Sequence, residues 1–480
     1  MTRQETLRPT QATDGITQRI ARSALTPDSP VTSLEKFHRW YDDRQSDLRQ
    51  RVTRAALDDI RGWHFDEQTG DLRHVSGRFF AVEGVHVRSD AGPIREWTQP
   101  IINQPEIGIL GILVRNIGGV LHCLMQAKVE PGNCNGVQLS PTIQATKSNY
   151  TGVHGGQDVP YLEHFRNPAP GSIVADVLQS EQGAWFYRKR NRNMIVEVGD
   201  EVEARENFCW LTLGQLRRLL DEDHIVNMDS RTVLCCLPIG GAGLREEFLY
   251  PDDGWHASVV RSLCGDSGSV WTTTEILSWI TENRSRHEVS VRRIPLREVR
   301  GWTRSRYAIS HDENRFFSVM AVDVEASGRE VASWSQPLIE PHGTGTVAFL
   351  VRRIGGVLHA LVHAKVEPGF MDVVELAPTV QYTPENYAER PDGELPPFFD
   401  LVRDARPEQI RFDTELSEEG GRFYRARNRY LVVEVDEHLP VDVHQDYRWM
   451  TLFQLDHLLR HSHYVNVEAR TLISALRLPV

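Results

Sequence analysis

The hydrophobic and polar positions of this chain follow one order twice. Each pass opens with a Thr and a Glu at capping-box spacing, Thr32 with Glu35 in the first, and apolar residues follow at helical intervals. β-branched residues in alternation come next, as in RFFAVEGVHV and NMIVEV, a pattern typical of strands. A second capping-box spacing then begins a Leu-rich segment, TLGQLRRLL or TLFQLDHLL. The pattern predicts two α+β units, each a curved mixed or antiparallel sheet flanked by helices.

The two passes are copies of one unit. VLHCLMQAKVEPG begins at Val120 and returns as VLHALVHAKVEPG at Val357, 237 positions later, with ten of thirteen residues identical. Each copy is far longer than the roughly 20 to 50 residues of solenoid or propeller repeats, which indicates duplication of a whole domain. We expect a loose N-terminal arm at 1–30, one unit at 31–239, a Gly-, Ser- and Asp-rich linker at 240–269, and the second unit at 270–480.

Composition narrows the class of protein. With 40% hydrophobic and 25% charged residues, the 480-residue chain is typical of soluble globular proteins, and no apolar run is long enough for a membrane span. The net charge of −12 disfavours non-specific nucleic-acid binding. The first residues lack the apolar region of a secretory signal, and six cysteines without a C-x-x-C pair suit reduced thiols. We therefore expect a cytoplasmic protein without membrane or nucleic-acid partners.

A lysine and a glutamate close the repeated phrase. They are Lys128 and Glu130 in the first copy, and Lys365 and Glu367 in the second. The Pro-Gly pair that follows ends the strand and bends the chain, so each glutamate can turn toward its lysine. Solvated charges at a strand end are the alternative interpretation, and the second copy does not exclude it because the two copies were inherited together.

A hairpin-like segment rich in arginine also occurs in both copies, as FYRKRNRN from Phe186 and FYRARNRY from Phe423. Arginines at alternate positions would line one side of a strand, and guanidinium groups bind phosphate oxygens in pairs. A solubilising hairpin tip is the alternative. The candidate ligand-binding residues here are Arg188, Arg192, Arg425 and Arg429, and the neighbouring side chains are those of Tyr187, Tyr424, Glu181 and Glu418.

Neutral polar and aromatic residues form a third group. Amides, hydroxyls and aromatic plates supply the directional hydrogen bonds and stacking surface that a sugar or a base requires, although any one of them is more often structural. The candidates are Trp97, Gln99, Thr142, Gln144, Asn149 and Tyr150, repeated as Trp334, Gln336, Thr379, Gln381, Asn386 and Tyr387. The sequence has no Walker A, dinucleotide-binding or zinc-ligand motif, so we expect neither a metal nor a cofactor.

Taken in order and in duplicate, W-x-Q-P, G-G-V-L-H, A-K-V-E-P-G, P-T-[IV]-Q, S-E-[QE]-G and F-Y-R resemble the motifs of the NDP-hexose 2,3-dehydratase family, from about residue 31 to 480. The resemblance implies two domains similar in fold to Nudix hydrolases, a homodimer, and two dTDP-sugar pockets per subunit, of which one is catalytic. Neither copy has the carboxylate box of Nudix hydrolases, which disfavours Mg²⁺-dependent pyrophosphate hydrolysis.

The reaction that this resemblance implies removes the C2 hydroxyl of dTDP-4-keto-6-deoxy-D-glucose, in deoxysugar and antibiotic biosynthesis, and a separate 3-ketoreductase would trap the 3,4-diketo product. Such an elimination needs a base, a donor to the C4 oxygen and an acid, but no cofactor. From chemistry and spacing we assign, in that order, Glu130 or Glu367, Lys128 or Lys365, and Tyr187 or Tyr424. A non-catalytic nucleotide-sugar-binding protein and, less favoured, a Nudix-type pyrophosphohydrolase are the alternatives. Which copy is active stays open, since both keep these residues.

Overall fold

The computed structural model describes residues 12–146, 159–241, 244, 254–326, 332–387 and 395–477. Two of the predicted ligand-binding residues, Asn149 and Tyr150, lie outside these ranges. Within them, no helix is long and apolar enough to cross a membrane.

The first repeat contains short helices and twelve strands among its described residues. Its helices are α1 (Ala12–Ala24), α2 (Leu34–Asp47), α3 (Leu162–Arg166), α4 (Leu213–Leu219) and α5 (Met228–Leu234). Its strands are β1 (Gln50–Ala55), β2 (Trp63–Phe65), β3 (Leu72–His74), β4 (Ala81–Ser89), β5 (Glu96–Asn103), β6 (Gly108–Ile117), β7 (Val120–Val129), β8 (Val137–Ser140), β9 (Ile143–Ala145), β10 (Ile173–Ser180), β11 (Arg190–Glu197) and β12 (Phe208–Thr212).

The second repeat follows the same order. Its helices are α6 (Trp255–Leu263), α7 (Thr273–Arg286), α8 (Phe399–Arg403), α9 (Leu452–Leu459) and α10 (Val467–Leu476). Its strands are β13 (Val289–Ile294), β14 (Trp302–Arg304), β15 (Ala308–His311), β16 (Phe317–Ala326), β17 (Ser333–Pro341), β18 (Gly345–Ile354), β19 (Val357–Val366), β20 (Val374–Ala377), β21 (Val380–Tyr382), β22 (Ile410–Ser417), β23 (Arg427–Glu434) and β24 (Tyr447–Thr451).

A seven-stranded mixed sheet forms the body of each repeat. The first has the order β10-β11-β6-β7-β12 with β8 and β9 attached, and the second has β22-β23-β18-β19-β24 with β20 and β21. The β11–β6 and β18–β23 pairs are parallel, and the other pairs in these sheets are antiparallel. One hydrophobic core contains residues of both sheets and of helices from both repeats. The predicted α+β class and the duplication are confirmed.

The helices begin at the predicted capping boxes with one exception. The predicted capping boxes at the starts of α4, α7 and α9 are present. Helix α2, however, begins at Leu34, and its cap is Ser33, whose hydroxyl accepts the Lys36 N–H. The prediction of a Thr32–Glu35 capping box is therefore wrong. Thr32 stays in the preceding segment because its carbonyl accepts a 2.6 Å hydrogen bond from Gln215 Nε2.

The two smaller sheets exchange one strand between the repeats. Strand β1 of the first repeat pairs antiparallel with β16 of the second, from Gln50 opposite Ala326 to Ala55 opposite Ala321. Strand β13 of the second repeat pairs in the same way with β4 of the first. Because β1 and β13 occupy equivalent positions in the two copies, the exchange is reciprocal, and each small sheet contains a strand of the other repeat.

Helices α1 and α6, in the segments that the sequence analysis assigned to an arm and a linker, pack on the large sheets. In α1 the Ser23 hydroxyl donates to the Leu121 carbonyl at 2.5 Å and accepts the Leu213 N–H at 2.9 Å. In α6, Ser262 makes the equivalent two bonds at 2.6 and 2.8 Å. Each repeat thus begins with a short helix whose serine joins a strand to a helix start.

The Pro-Gly stops bring the repeats into backbone contact. Gly132 donates its N–H to the Gly420 carbonyl at 2.7 Å, and its own carbonyl accepts the Arg425 N–H at 2.8 Å. Gly369 makes the same two bonds, at 2.7 and 2.8 Å, to the turn at residues 183–188 of the first repeat. We call these two contacts the glycine clasps. A Cβ atom on Gly132 would lie 1.7 Å from the Phe423 carbonyl oxygen, so only glycine fits there.

We expect Gly132→Ala to lower the free energy of unfolding by about 1 to 3 kcal/mol or more, because the added methyl group forces the two backbones apart. Urea unfolding measures this change. Gly15→Ala is the control: it lies in α1 with none of the described atoms within 4 Å of an added Cβ, and alanine there favours the helix by about 1 kcal/mol. Equal unfolding midpoints for Gly132→Ala and the parent chain would contradict the role of the clasp.

Candidate active site

Two cavities lie where the repeats meet. The first cavity, of about 500 Å³, contains the Lys128–Glu130 pair, and the second, of about 1260 Å³, contains the Lys365–Glu367 pair. Ligand pockets commonly measure roughly 300 to 1,000 Å³. The predicted residues lining the first cavity are Lys128, Glu130, Gln144, Trp334 and Gln336, and those lining the second are Trp97, Gln99, Lys365, Glu367, Gln381, Asn386 and Tyr387. Each cavity therefore takes its Lys-Glu pair from one repeat and its Trp-x-Gln segment from the other.

In the first cavity, the end of β7 forms a compact polar group. Lys128 Nζ lies 3.4 Å from Glu130 Oε1, and the same oxygen accepts a 3.1 Å hydrogen bond from Gln144 Nε2. The Glu130 side chain is 7% exposed, so its charge is held by these two partners more than by water. The alternative of solvated strand-end charges does not fit this burial.

The second cavity repeats this group at the end of β19. Lys365 Nζ lies 2.8 Å from Glu367 Oε1, and Gln381 Nε2 donates to that oxygen at 3.4 Å. The Gln381 amide is oriented by Asn466, the N-cap of α10, whose Nδ2 donates to Gln381 Oε1 at 3.0 Å. The start of this helix thus fixes the amide that contacts the buried glutamate.

Two further acids approach Glu130 in the first cavity. Asp229 comes from the first turn of α5 and Glu419 from the second repeat, and carboxylate oxygens of the three acids lie within 4.8 Å of one another. Burial raises the pKa of Asp229 well above its usual value, and neighbouring carboxylates raise it further. Burial, followed by repulsion from Glu130, raises the pKa of Glu419 to about 8. The group therefore combines the Lys128–Glu130 pair with two acids whose pKa values are raised, that of Glu419 to about 8.

A further acid and a further lysine line the first cavity, and both bond to Asn191. Glu181 accepts a 2.7 Å hydrogen bond from Asn191 Nδ2, and Lys189 donates to Asn191 Oδ1 at 2.9 Å and to the Glu106 carbonyl. Burial lowers the pKa of Lys189 to about 8, although the charge of Glu181 opposes the shift. Both side chains line the cavity, within reach of a bound molecule.

The second cavity carries fewer charges at the equivalent positions. Gln182 takes the place of Glu419, Trp185 that of Arg422, and Ala426 that of Lys189. Glu418 and Glu468 line the second cavity with the Lys365–Glu367 pair, and the buried Glu375 lies opposite Lys365 in the β19–β20 pair. Burial and the nearby carboxylates raise the pKa of Glu468 to about 8.

Each cavity also has an aromatic wall that the sequence analysis missed. In the first cavity the wall consists of Trp63, His74, Phe79 and Phe80, and in the second of Trp302, His311, Phe316 and Phe317. The centroids of the Trp63 and Phe80 rings lie 4.8 Å apart, and Arg422 of the second repeat lies 4.5 Å above Phe80. The repeated Arg-Gly-Trp at 61–63 and 300–302 was the available signal. Flat rings of this kind suit a sugar or a base.

The predicted acids Tyr187 and Tyr424 are described, and both lie outside the linings of the two cavities. Tyr187 packs against Val85, Val87 and Ile101 of the first small sheet. Tyr424 packs in the equivalent cluster of the second repeat and lines a further cleft, whose lining also includes Glu130. Neither tyrosine lines a cavity together with both members of a Lys-Glu pair.

The predicted arginines also lie apart from the two cavities. Arg192 forms a bidentate pair with Asp176 at 2.7 and 2.5 Å, and Arg429 forms the same pair with Asp413. Arg188 and Arg425 lie in the turns of the glycine clasps. The described cations that line the first cavity are Arg61, Lys128, Lys189 and Arg422, and those that line the second are Arg292, Arg297, Arg300, Arg315 and Lys365.

Other predicted residues act within the scaffold. Thr142 is buried, and its hydroxyl donates to the Leu124 carbonyl at 2.5 Å and accepts the Leu113 N–H at 2.9 Å. Thr379 makes the equivalent bonds. Gln99 donates to the Ala184 carbonyl at 2.8 Å and accepts from Trp97 at 2.9 Å, so it supports a turn that lines the second cavity.

Comparisons with known proteins identify the class. The sequence model of NDP-hexose 2,3-dehydratase matches residues 34–237 and 273–476. A dTDP-4-dehydro-6-deoxy-alpha-D-glucopyranose 2,3-dehydratase of Saccharopolyspora spinosa is 49% identical over 96% of this chain and 94% of its own. Proteins of the same name from Amycolatopsis orientalis and Streptomyces violaceoruber are 51% and 49% identical, over 95% and 93% of this chain and 93% and 98% of their own. The protein is thus a hydro-lyase that acts on NDP-hexoses. The chain belongs to the NDP-hexose 2,3-dehydratase family.

The raised pKa of Glu419 predicts a dependence of stability on pH. Between about pH 5 and 8 the unfolded chain has released this proton while the folded chain keeps it, so the free energy of unfolding falls as pH rises. Glu419→Gln should flatten that fall in urea unfolding measured at pH 5.5, 7 and 8.5. Glu437→Gln, at an exposed position, is the control. An unchanged slope in Glu419→Gln would contradict the prediction.

Proposed function

We propose that the protein is a dTDP-4-keto-6-deoxy-D-glucose 2,3-dehydratase that forms dTDP-3,4-diketo-2,6-dideoxy-D-glucose. The substrate named for three relatives of 49 to 51% identity supports this choice. The observation that carries the proposed mechanism is the grouping of Glu130, Asp229 and Glu419 beside Lys128 in the first cavity. An elimination needs a base, an acid and a donor to the developing oxyanion, and this group contains all three.

The first step breaks the C3–H bond of the sugar. The C4 ketone acidifies this proton, and the Glu130 carboxylate takes it. Charge moves to the C4 oxygen, where the Lys128 ammonium stabilises the enolate by donating a hydrogen bond. The 3.4 Å separation of Lys128 Nζ and Glu130 Oε1 allows both groups to reach adjacent carbons of one ring.

The second step expels the C2 hydroxyl. The enolate electrons form the C2–C3 double bond and regenerate the C4 ketone, the C2–O bond breaks, and the hydroxyl leaves as water with a proton from a neutral carboxyl. Glu419 is the proposed acid, in place of Tyr187, because its raised pKa keeps it protonated at neutral pH. The resulting enol then tautomerises, gaining a proton at C2 and losing one from the C3 oxygen, to give the 3,4-diketone.

The first cavity is the proposed site of catalysis. Its acid Glu419 is replaced in the second cavity by Gln182, whose neutral amide is a poor proton donor. The second cavity keeps Lys365, Glu367 and an aromatic wall, and we assign it the binding of a second dTDP-sugar. In each cavity the aromatic wall stacks on the thymine or the sugar, and the lining arginines bind the diphosphate.

The protein is further proposed to act as a cytoplasmic homodimer in deoxysugar formation for antibiotics, followed by a 3-ketoreductase. Six free cysteines suit a reducing compartment. The product is a vicinal diketone, which is reactive, so prompt reduction of its C3 carbonyl protects it. The homodimer and the pathway rest on the family resemblance.

The direct test incubates the purified protein with dTDP-4-keto-6-deoxyglucose, a 3-ketoreductase and NADPH in EDTA. A 2-deoxy sugar nucleotide is the expected product. Binding of the substrate without this product would favour the non-catalytic alternative. Release of dTMP and a sugar phosphate upon addition of Mg²⁺ would favour the pyrophosphohydrolase, with the three grouped acids as its metal ligands.

The two cavities are distinguished by Glu130→Gln and Glu367→Gln. We expect Glu130→Gln to lower kcat by about 100-fold or more, because general base catalysis is lost, while Glu367→Gln keeps most of the turnover. The measurement is the rate of 2-deoxy product formation at saturating substrate. Full activity in Glu130→Gln would remove this glutamate from the mechanism.

The acid is tested by Glu419→Gln and its mirror change Gln182→Glu. The first variant should lose about 100-fold in kcat with little change in KM, because the hydroxyl then leaves without a proton donor. Gln182→Glu, which adds a carboxyl to the second cavity, should leave kcat near that of the parent. Equal rates in the parent and Glu419→Gln would assign the acid to another group, with Asp229 next in position.

A further inference from the structure

Two fully buried arginines lie in the core that the repeats share. Arg231 on α5 and Arg470 on α10 are each 0% exposed. Within the described ranges neither forms a salt bridge, so both guanidinium groups are satisfied by neutral acceptors. A buried charge without a carboxylate partner is costly unless its donors are well bonded.

The hydrogen bonds of each arginine cross from one repeat to the other. Arg470 donates to the Val465 carbonyl of its own repeat at 2.7 Å, and to the Thr232 hydroxyl and the Ser180 carbonyl of the first repeat, each at 2.5 Å. Ser180 is the last residue of β10. The long donor fork of arginine thus connects the start of α10 to a strand end of the other repeat.

Arg231 makes the same three bonds in the opposite direction. It donates to the Val226 carbonyl at 2.6 Å, the Thr471 hydroxyl at 3.2 Å and the Ser417 carbonyl at 2.7 Å. Ser417 ends β22. The two arginines are therefore matched in burial, in partners and in the helix that carries them.

The residues that follow these strand ends are cavity acids. Glu181 follows Ser180 and lines the first cavity, and Glu418 follows Ser417 and lines the second. The helices also reach the cavities themselves: α5 carries Asp229 into the first, and α10 carries Glu468 into the second. Each helix therefore contributes an acid to one cavity and a buried arginine to the strand end that precedes an acid of the other.

We infer that the two arginines are crossed positioning residues, with Arg470 fixing Glu181 in the first cavity and Arg231 fixing Glu418 in the second. In the first cavity, the bond to Ser180 holds the backbone from which the Glu181 side chain leaves. Glu181 thereby keeps the orientation in which it accepts the Asn191 amide and lines the first cavity. The expectation that Arg470 rather than Arg231 controls turnover rests on the proposed function, which places catalysis in the first cavity.

Arg470 also acts on Glu181 through its charge. Burial raises the pKa of Glu181, and the positive charges of Arg470 and Lys189 oppose that shift, whereas Glu418 adds to it. The other acids near Glu181 are Asp229 and Glu419. Loss of the Arg470 charge should therefore raise the pKa of Glu181, and because the charge of Glu181 acts on Asp229 and Glu419, it should also shift the pH profile of kcat.

The test compares Arg470→Met with its twin Arg231→Met in the dehydratase assay. Because the two sites are matched, both variants should lose similar amounts of stability in urea. Arg470→Met should lower kcat by about tenfold or more, since a small displacement of a positioned group is costly, and should shift the pH profile of kcat, while Arg231→Met should have a clearly smaller effect on kcat. Arg470→Lys, which keeps the charge, should recover the pH profile. Where a methionine variant does not fold, the lysine pair is compared instead.

The outcome for the two arginine variants is interpreted together with the activities of Glu130→Gln and Glu367→Gln. Equal kcat losses and equal pH profiles in the two arginine variants would overturn the inference and leave the arginines as interface residues only, even if Glu130→Gln is inactive as proposed. Loss in Arg231→Met with an inactive Glu130→Gln would overturn it as well. If Glu367→Gln is the inactive variant and Arg231→Met the impaired one, the assignment of the first cavity fails, but crossed positioning is supported.

Discussion

The structure depends on the closeness with which two backbone turns meet at the glycine clasps. Gly132 and Gly369 each place their peptide groups against a turn of the other repeat at a distance that excludes a side chain. Those turns carry Glu419 and Arg422 on one side and Gln182 and Trp185 on the other. The clasp therefore controls which side chains of one repeat enter the cavity of the other. Each clasp glycine lies two residues after Glu130 or Glu367, so the backbone contact is close to the candidate catalytic glutamate.

Burial of acids at this contact changes their pKa values. Acids from both repeats converge beside the Lys128–Glu130 pair, where burial and mutual repulsion raise the pKa values of Asp229 and Glu419. A base and an acid can then coexist in one cavity at pH 7. The same desolvation makes the cavities a source of instability, since an ionised acid is better solvated in the unfolded chain.

The features predicted correctly from the sequence depend on neighbouring residues, and the features missed are formed by segments that are distant along the chain. Helix caps, strand alternation and the duplication depend on neighbouring residues, and they were found, apart from the one-residue shift to Ser33. The Lys128–Glu130–Gln144 group was accessible because each member belongs to a repeated motif. Glu419 was not, because its motif lies 289 positions from Glu130 and nothing local shows that the two repeats share cavities. The arginines show the same limit. Alternation predicted a row of arginines along one side of a strand, but acids on the neighbouring strand pair with Arg192 and Arg429. The likeness to Nudix hydrolases stays a prediction.

The exchanged strands β1 and β13 have a consequence for the origin of the chain. If the same contacts were made between two separate copies of one unit, each copy would lend its strand to the other, and a closed twofold dimer with two identical cavities would result. Fusion of the two genes retains this assembly within a single polypeptide but frees the halves to diverge. A substitution in one half then changes the turn that enters one cavity only. The difference between Glu419 and Gln182 is of this kind, so the two cavities can become different while the two halves stay associated.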